Sequence, residues 1–345
     1  MTRLTRLAAT LATAAALSTP LAAQAQQKLT VYTALQNELL KPYEAAFKKA
    51  HPDIQIDWLR EPTGILQARL LAEKDNPRAD IILGVPIMSL VTLDQAGLVE
   101  RYMPKGADKL KPFMVDKNNP PIWTGMDMYV SLICFNTIEA EKRKLPKPKK
   151  WTDLIDPIYK GQVTMPNPAA SQTGFLNMMS WIHTMGEEKA WQFMDKLHEN
   201  AAMYTNSSST PCKFASGGEY TVGFSTDITA TLMKTKGAPI DLIVPEDKVG
   251  WEIEGSSIVK GTKNMDAAKK MMDWTATRDA NVEYNKFMAI VAYPGISNLP
   301  QNYPGNTEAM MADFDVAWAI KNRARLISEW AKRYDSKSEP KPKPK

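Results

Sequence analysis

The N-terminal third of the chain alternates between strand patterns and amphipathic helix patterns. In the first helix pattern, apolar residues recur four positions apart at Leu39, Tyr43 and Phe47, whereas every second residue is apolar in the strand patterns. This strand–helix order predicts a parallel sheet that helices cover on both faces. The strands are predicted at residues 28–33, 54–58 and 79–83, and a helix follows each of them, the third at about 87–96.

The same order returns in the second half of the chain. Two longer strand patterns, at residues 123–135 and 251–259, flank this second unit and are predicted to cross between two α/β domains. Two such domains joined by two strands form a hinged pair with a ligand cleft between them. Within the second unit, strands are predicted at 161–164, 203–205, 220–224 and 240–244, and helices later in the chain at 265–277, 279–287 and about 308–334.

The first 25 residues have the pattern of a secretory signal peptide. Arg3 and Arg6 form a basic start, an apolar run at 7–16 follows, and Ala23 and Ala25 give a small-x-small cleavage site. The apolar run is shorter than the roughly 20 residues that a membrane-spanning helix needs. The sequence therefore predicts export, most simply to the periplasm. The predicted organisation is a signal peptide at 1–25, a first domain of 26–127 plus 255–335, a second domain of 128–254 and a disordered basic tail at 336–345.

The formal net charge of +5 comes largely from the two ends of the chain. The signal peptide carries Arg3 and Arg6, and the tail at 336–345 is rich in lysine and proline. The folded body is left close to neutral, so no nucleic-acid partner is expected.

The chain has two cysteines, Cys134 and Cys212, and three histidines. In an oxidising compartment the cysteines are compatible with one disulfide, and two buried free thiols are the alternative. Both remain open at this stage. None of the histidines has metal-ligand spacing to a cysteine, so neither a metal nor another cofactor is expected.

Small and hydroxyl-bearing residues follow the predicted strands, where ligands bind in open α/β sheets. Thr33 and Thr63 are examples in the first domain, and the stretch at 171–174 (Ser171, Gln172, Thr173, Gly174) opens a helix in the second. Ser171 can cap that helix, or the helix start can hold an oxyanion with its unpaired N–H groups.

Taken together, these patterns resemble the type II periplasmic substrate-binding proteins of ABC importers, in the branch of the ferric-ion, polyamine and 2-aminoethylphosphonate receptors. The resemblance implies a two-lobed α/β fold of two Rossmann-like domains joined by a two-strand hinge. It also implies a membrane permease and an ATPase as partners, no catalysis, and here a monomer. The matching segments include residues 31–35, 63–65, 133–137, 151–154, 165–168, 173–175 and 211–213.

The resemblance also bears on the ligand. Ferric receptors carry two adjacent tyrosines where this chain has Thr226 and Asp227, which disfavours iron. A small organophosphorus anion is expected, most of all 2-aminoethylphosphonate, with Asp227 meeting its ammonium group. Ferric ion, polyamine and phosphate are the alternatives, and Gln172 departs from the glycine common at its place. The expected ligand-binding residues are Thr33, Ala34, Leu35, Thr63, Gly64, Val85, Tyr129, Ser171, Gln172, Thr173, Gly174, Asn206, Ser207 and Asp227.

A periplasmic hydrolase is the alternative of a different class. Such an enzyme would need an activated nucleophile, for example in a Gly-x-Ser-x-Gly turn. The nearest match begins at Gly223 and has Ser225 in the central place, but it ends in Asp227. The sequence therefore predicts a binding protein without enzymatic activity.

Overall fold

The computed structural model describes residues 27–313 and 315–340. The predicted signal peptide and the end of the tail, 341–345, lie outside these residues.

The first lobe is built on a central strand that pairs in parallel with one strand on each side. Leu29 and Val31 on that strand pack with Leu39, Tyr43 and Phe47 of the following helix, as the apolar spacing predicts. The elements, in chain order, are β1 (Gln27–Thr33), α1 (Asn37–Ala50), β2 (Ile54–Arg60), α2 (Thr63–Ala72), β3 (Ile81–Pro86), α3 (Ile87–Gln95) and β4 (Val99–Glu100).

Two long strands cross from this lobe to the second one. They are β5 (Thr124–Asn136) and β10 (Trp251–Val259), and they pair with each other in antiparallel orientation. The first part of β5 pairs with β10, whereas its last residues pair with strands of the second lobe. The predicted two-strand hinge is thereby confirmed.

The second lobe repeats the parallel arrangement around its own central strand, Val163–Pro166, which pairs with one strand on each side. Cys134 on β5 and Cys212 on a following helix form a disulfide within this lobe. The elements are α4 (Thr137–Arg143), β6 (Val163–Pro166), α5 (Gln172–Met185), α6 (Glu187–Asn200), β7 (Ala201–Thr205), α7 (Thr210–Gly217), β8 (Val222–Thr226), α8 (Asp227–Thr235) and β9 (Ile240–Ile243).

The chain after β10 returns to the first lobe and then leaves it. The prediction of a single helix at about 308–334 is wrong, because one helix ends at Met310 and the next begins at Val316. Asp315 is the N-cap of the second helix, because its carboxylate accepts hydrogen bonds from the N–H groups of Ala317 and Trp318. These elements are α9 (Met265–Thr275), α10 (Arg278–Tyr284), β11 (Ile290–Val291), α11 (Thr307–Met310) and α12 (Val316–Tyr334).

Helix α12 and the residues after it pack against the second lobe. Trp330 meets the ring of Tyr204 edge-on, with ring centroids 4.9 Å apart. Lys337 donates to the carbonyl oxygens of His198 and Ala201. Residues 336–340, which the sequence places in a disordered tail, are thus held by hydrogen bonds. The proline and lysine content of this segment is typical of disorder, and no local pattern shows that it will bond to backbone carbonyl groups of the second lobe.

Within the described part of the chain, no helix is long and apolar enough to cross a membrane.

Candidate functional site

A small polar cavity lies between the two lobes. The space that the centre of a water molecule can reach in it is about 20 Å³. This is enough for about one water molecule, so the lobes are closed over the cavity and a larger ligand requires them to move. The lining residues come from both lobes and from the hinge: Ala34, Gln36, Arg60, Pro62, Thr63, Tyr129, Ser171, Gln172, Thr173, Ser207, Ser208, Thr226 and Glu254.

Several helices begin at this cavity. Gln36, Pro62, Ser171 and Thr226 are the N-cap residues of α1, α2, α5 and α8, and all four line it. The first turn of a helix has N–H groups without intrahelical partners and a partial positive charge. Their convergence favours an anion in the cavity.

Ser171 shows that a helix start can serve the cavity rather than its own helix. Its side chain accepts no capping hydrogen bond from α5, and it lines the cavity. Thr226 differs, because its hydroxyl oxygen accepts a hydrogen bond from the Thr229 N–H. Of the two roles considered for Ser171, the geometry favours contact with a ligand.

Arg60 brings a full positive charge to the cavity. It is the last residue of β2 and is half-buried. Its Nε donates to the Leu35 carbonyl oxygen at 3.0 Å, which leaves the terminal nitrogens of the guanidinium group for other acceptors. Burial lowers the pKa of Arg60, with the carboxylates of Glu61, Glu38 and Glu254 opposing that shift. An arginine remains charged at neutral pH under such conditions.

Half of the expected ligand-binding residues line the cavity, and the others lie behind it. Thr33 is fully buried, and its hydroxyl accepts a hydrogen bond from the Leu35 N–H. The Leu35 side chain fills the space beside Gly84. Val85 lies in β3, opposite Gly255 of β10. These three residues therefore shape the wall without reaching the cavity. The expected residues that do line it are Ala34, Thr63, Tyr129, Ser171, Gln172, Thr173 and Ser207.

Both expected glycines serve close backbone packing. A Cβ on Gly64 would lie 2.4 Å from the Ala169 carbonyl oxygen, and one on Gly174 would lie 2.4 Å from the Pro166 carbonyl oxygen. Gly64 thus lets the two lobes touch, and Gly174 lets α5 start directly beside β6.

Asn206 and Asp227 are engaged elsewhere. The Asn206 N–H donates to the Glu339 carboxylate. Oδ1 of Asp227 accepts from the N–H groups of Val130 and Ile228, and Oδ2 accepts from the Tyr303 hydroxyl. Neither residue lines the cavity, so the structure does not support the expected ammonium contact of Asp227.

The floor of the cavity carries a carboxyl group that the sequence analysis missed. Glu254 of β10 lies directly opposite Asp127 of β5 in the antiparallel register. Burial raises the pKa of both groups well above the ordinary range, and the charge of Asp127 adds to the effect on Glu254. Two adjacent buried carboxyl groups repel each other when both are ionised, which favours a proton on the pair.

A second buried carboxylate, Glu252, connects four elements. Its oxygens accept hydrogen bonds from the Met88 N–H of α3 and from the Gln172 side-chain amide of α5. The Gln172 oxygen in turn accepts from Arg323 of α12 at 2.8 Å. Burial raises the pKa of Glu252 to about 7. Gln172, which departs from the expected glycine, thereby bridges the second lobe to the hinge.

Other lining residues were also outside the sequence-based expectation. Arg60 lies two residues beyond the strand predicted at 54–58 and could have been found by the rule that applies to Thr33. Glu254 lies within a crossing strand, where no local pattern separates a lining residue from a core residue. The missed lining residues are Gln36, Arg60, Pro62, Ser208, Thr226 and Glu254.

The chain is similar to several curated proteins along most of its length. It is 30% identical to an uncharacterized protein of Haemophilus influenzae, over 92% of this chain and 93% of the relative. It is 26% identical to a probable ABC transporter periplasmic-binding protein of Sinorhizobium fredii, over 74% and 71% of the two chains. It is 23% identical to a putative 2-aminoethylphosphonate-binding periplasmic protein of Salmonella typhi, over 70% of each chain.

Solved structures with the same fold include the periplasmic binding protein AfuA from Actinobacillus pleuropneumoniae with exogenous fructose-6-phosphate bound. It has a TM-score of 0.83 and 26% identity, and covers 90% of this chain and 99% of its own. Iron-bound HitA from Pseudomonas aeruginosa has a TM-score of 0.71 at 17% identity, covering 88% and 99%, and shows the fold alone. These neighbours confirm the expected type II binding-protein fold.

The family model of bacterial extracellular solute-binding proteins matches residues 76–316. Proteins of this family are carriers without enzymatic activity that bind a small molecule outside the cytoplasm and deliver it to a membrane permease and its ATPase. The chain therefore belongs to the bacterial extracellular solute-binding proteins and is the solute-binding component of an ABC importer.

Proposed function

We propose that the solute is a small organophosphorus anion, most of all 2-aminoethylphosphonate, held in the cavity between the lobes. The observation that carries this proposal is the convergence of the N-termini of α1, α2, α5 and α8 with the guanidinium group of Arg60. Phosphonate oxygens accept several hydrogen bonds at once and carry the charge that helix starts and arginine favour.

The relatives support a ligand with a phosphoryl or phosphonyl group. One curated relative is named for 2-aminoethylphosphonate, and a similar structure contains fructose-6-phosphate. A sugar phosphate is accordingly the second candidate. The closed cavity, at about 20 Å³ for water centres, admits neither ligand until the lobes move apart, and the shorter 2-aminoethylphosphonate needs the smaller movement.

Ferric ion is a weaker candidate on the chemistry of the lining. Iron(III) prefers several anionic oxygen ligands. The lining offers hydroxyl groups, amides and a guanidinium group, with Glu254 as its carboxyl group. A cation of high charge beside Arg60 would also be repelled.

We also propose that two domains of the chain close around this ligand. The expected first domain of residues 26–127 plus 255–335 is shortened to 26–127 plus 255–310, because α12 packs against the second domain of 128–254. These two domains close on the solute. The protein acts as a periplasmic monomer after removal of residues 1–25.

Titration calorimetry with 2-aminoethylphosphonate, fructose-6-phosphate and inorganic phosphate tests the proposal. We expect 2-aminoethylphosphonate to bind most tightly. The absence of binding heat with every organophosphorus compound would refute the ligand class. In that case, mass spectrometry of the solute that co-purifies with the protein from its native host identifies the true ligand.

A further inference from the structure

We propose that Glu254 recognises a positively charged amine on the ligand, so that the receptor selects amino-bearing phosphonates or phosphates over anions without an amine. This inference rests on the proposed function and adds the chemistry of the second end of the ligand. It assigns the ammonium contact to Glu254 of the hinge strand β10 instead of Asp227.

The first observation is the placement of Glu254. It lines the cavity although the residue is only 5% exposed. Its Oε2 accepts no hydrogen bond from any N–H or O–H group of the described residues. A buried carboxyl oxygen without a donor is costly, and a ligand ammonium group supplies the missing donor together with an opposite charge.

Gln36 gives an independent second observation on the same cavity. It is 7% exposed and lines the cavity at the start of α1. Its Oε1 has no hydrogen-bond donor within residues 27–313 and 315–340. An ammonium group has three N–H donors, so one amine can serve both acceptors. Donors from the helix starts and acceptors from Glu254 and Gln36 thus suit a ligand with an anionic end and a donor end.

Asp227 cannot fill this role as it is placed. Both of its oxygens already accept hydrogen bonds, from backbone N–H groups and from the Tyr303 hydroxyl. It forms the start of α8 behind the cavity wall and does not line the cavity.

Three acidic residues and one arginine surround Glu254 and influence its ionisation. Asp127 of β5, Asp227 of α8 and Glu252 of β10 are acidic and favour its protonated form. Arg60 of β2 is the cation that interacts with it across the cavity. Because burial and these acids raise the pKa of Glu254, the carboxyl pair with Asp127 holds a proton. An incoming ammonium group favours the ionised pair, so its binding releases a proton to solvent.

The test compares three phosphonates of similar size: 2-aminoethylphosphonate, 2-hydroxyethylphosphonate and ethylphosphonate. For the wild-type protein we expect the amine to increase affinity over ethylphosphonate by roughly 10- to 100-fold, as for a charge-assisted hydrogen bond. In Glu254→Gln this preference should fall at least tenfold, while the affinity for ethylphosphonate stays within a few-fold. Asp227→Asn is the matched control and should keep the preference.

A second measurement does not depend on any variant. Calorimetry of the wild-type protein in buffers of different ionisation enthalpy reports the protons exchanged on binding. We expect proton release with 2-aminoethylphosphonate at neutral pH to exceed the amount that completing the ionisation of its own phosphonate group supplies, whereas the release with ethylphosphonate should not exceed that amount.

For the variant comparison, circular dichroism and thermal unfolding verify that Glu254→Gln is folded.

The outcomes separate this inference from the proposed function. Equal affinity for the three phosphonates, or an unchanged preference in Glu254→Gln, overturns the amine assignment and leaves an organophosphorus receptor. Tighter binding of the hydroxyl compound than of the amine overturns it in favour of a neutral donor. Loss of the preference in Asp227→Asn alone returns the contact to Asp227. If no phosphonate binds at all, the proposed function itself fails.

Discussion

The backbone N–H of Gly64 donates a hydrogen bond to the carbonyl oxygen of Ala170 across the cleft, at 3.0 Å. Gly64 belongs to the first turn of α2 in the first lobe, and Ala170 precedes α5 in the second. The two residues flank Thr63 and Ser171, which line the cavity. Lobe closure and the assembly of the cavity wall therefore occur at the same point.

Replacing Gly64 with alanine should oppose closure. The added Cβ would lie 2.4 Å from the Ala169 carbonyl oxygen, a backbone atom that cannot turn away. We expect ligand affinity to fall at least tenfold, because the closed state would need a shift of one lobe. Calorimetry measures the affinity, and small-angle scattering should show a less compact protein at saturating ligand.

Gly217→Ala is the matched control for that variant. Gly217 ends α7, and a Cβ there meets no atom within 4 Å. Its affinity should equal that of the wild type. Unchanged affinity in Gly64→Ala as well would show that the contact between Gly64 and Ala170 is dispensable for binding.

Arg60→Met should weaken binding of every phosphonate. The substitution removes the guanidinium group from the cavity together with its hydrogen bond to the Leu35 carbonyl oxygen. Since hydrogen bonds to charged groups contribute about 1.5–3 kcal/mol, we expect a loss of roughly 10- to 100-fold. The loss should be similar for 2-aminoethylphosphonate and ethylphosphonate, because the amine lies at the other end.

The exposed Arg78→Met removes the same charge away from the cavity and should leave affinity unchanged. An equal loss in both variants would assign the effect to net charge rather than to contact with the ligand.

Removal of the disulfide should lower stability without abolishing binding. Cys134 and Cys212 close a loop with a sequence separation of 78 residues, and neither lines the cavity. We expect Cys134→Ala/Cys212→Ala to lose about 2–5 kcal/mol of unfolding free energy, measured by urea denaturation. Wild-type protein kept reduced should lose a similar amount, which separates the bridge from the missing sulfur atoms. Unchanged stability in both would refute the bridge.

The stability difference between Asp227→Asn and the wild type should depend on pH. Burial raises the pKa of Asp227 to about 7 in the folded protein, whereas an unfolded aspartate titrates near 4. The folded state therefore holds the extra proton between these values, and the wild type loses stability as the pH rises from about 4 to 7. Asparagine does not titrate, so the variant should gain relative to the wild type across that range and level off above it.

Urea denaturation at several pH values measures this difference, and the exposed Asp75→Asn provides a control that should show no such trend. A relative gain that runs in the opposite direction would contradict a buried, protonated Asp227.

The order of the elements follows from the sequence because each carries its own periodicity. The crossing strand β10 has the bounds predicted for it, residues 251–259. The interruption before α12 was missed because the apolar spacing continues across it, while the start at Asp315 depends on a cap. Local patterns predict elements well and their interruptions less well.

The site was predictable only in part for a similar reason. Helix and strand ends mark Thr63 and Ser171, because the carboxyl edge of a parallel sheet gathers them. Glu254 is placed by the register of two strands that are far apart in the chain. Asp227 has the expected chemistry, but its oxygens are occupied by Val130 and Tyr303 in the folded protein. Such assignments need tertiary contacts that no local pattern contains.

The docked C-terminal segment has a practical consequence for protein engineering. Pro340 accepts a hydrogen bond from the Asn206 side chain, and it borders a groove of about 490 Å³ that Gly64 and Ala68 of the other lobe also line. An affinity tag fused directly after Pro340 would start beside the mouth of the cleft and hinder opening. An environment-sensitive fluorophore attached at Pro340 would instead respond to each cycle of capture and release, which makes this position suitable for an optical biosensor.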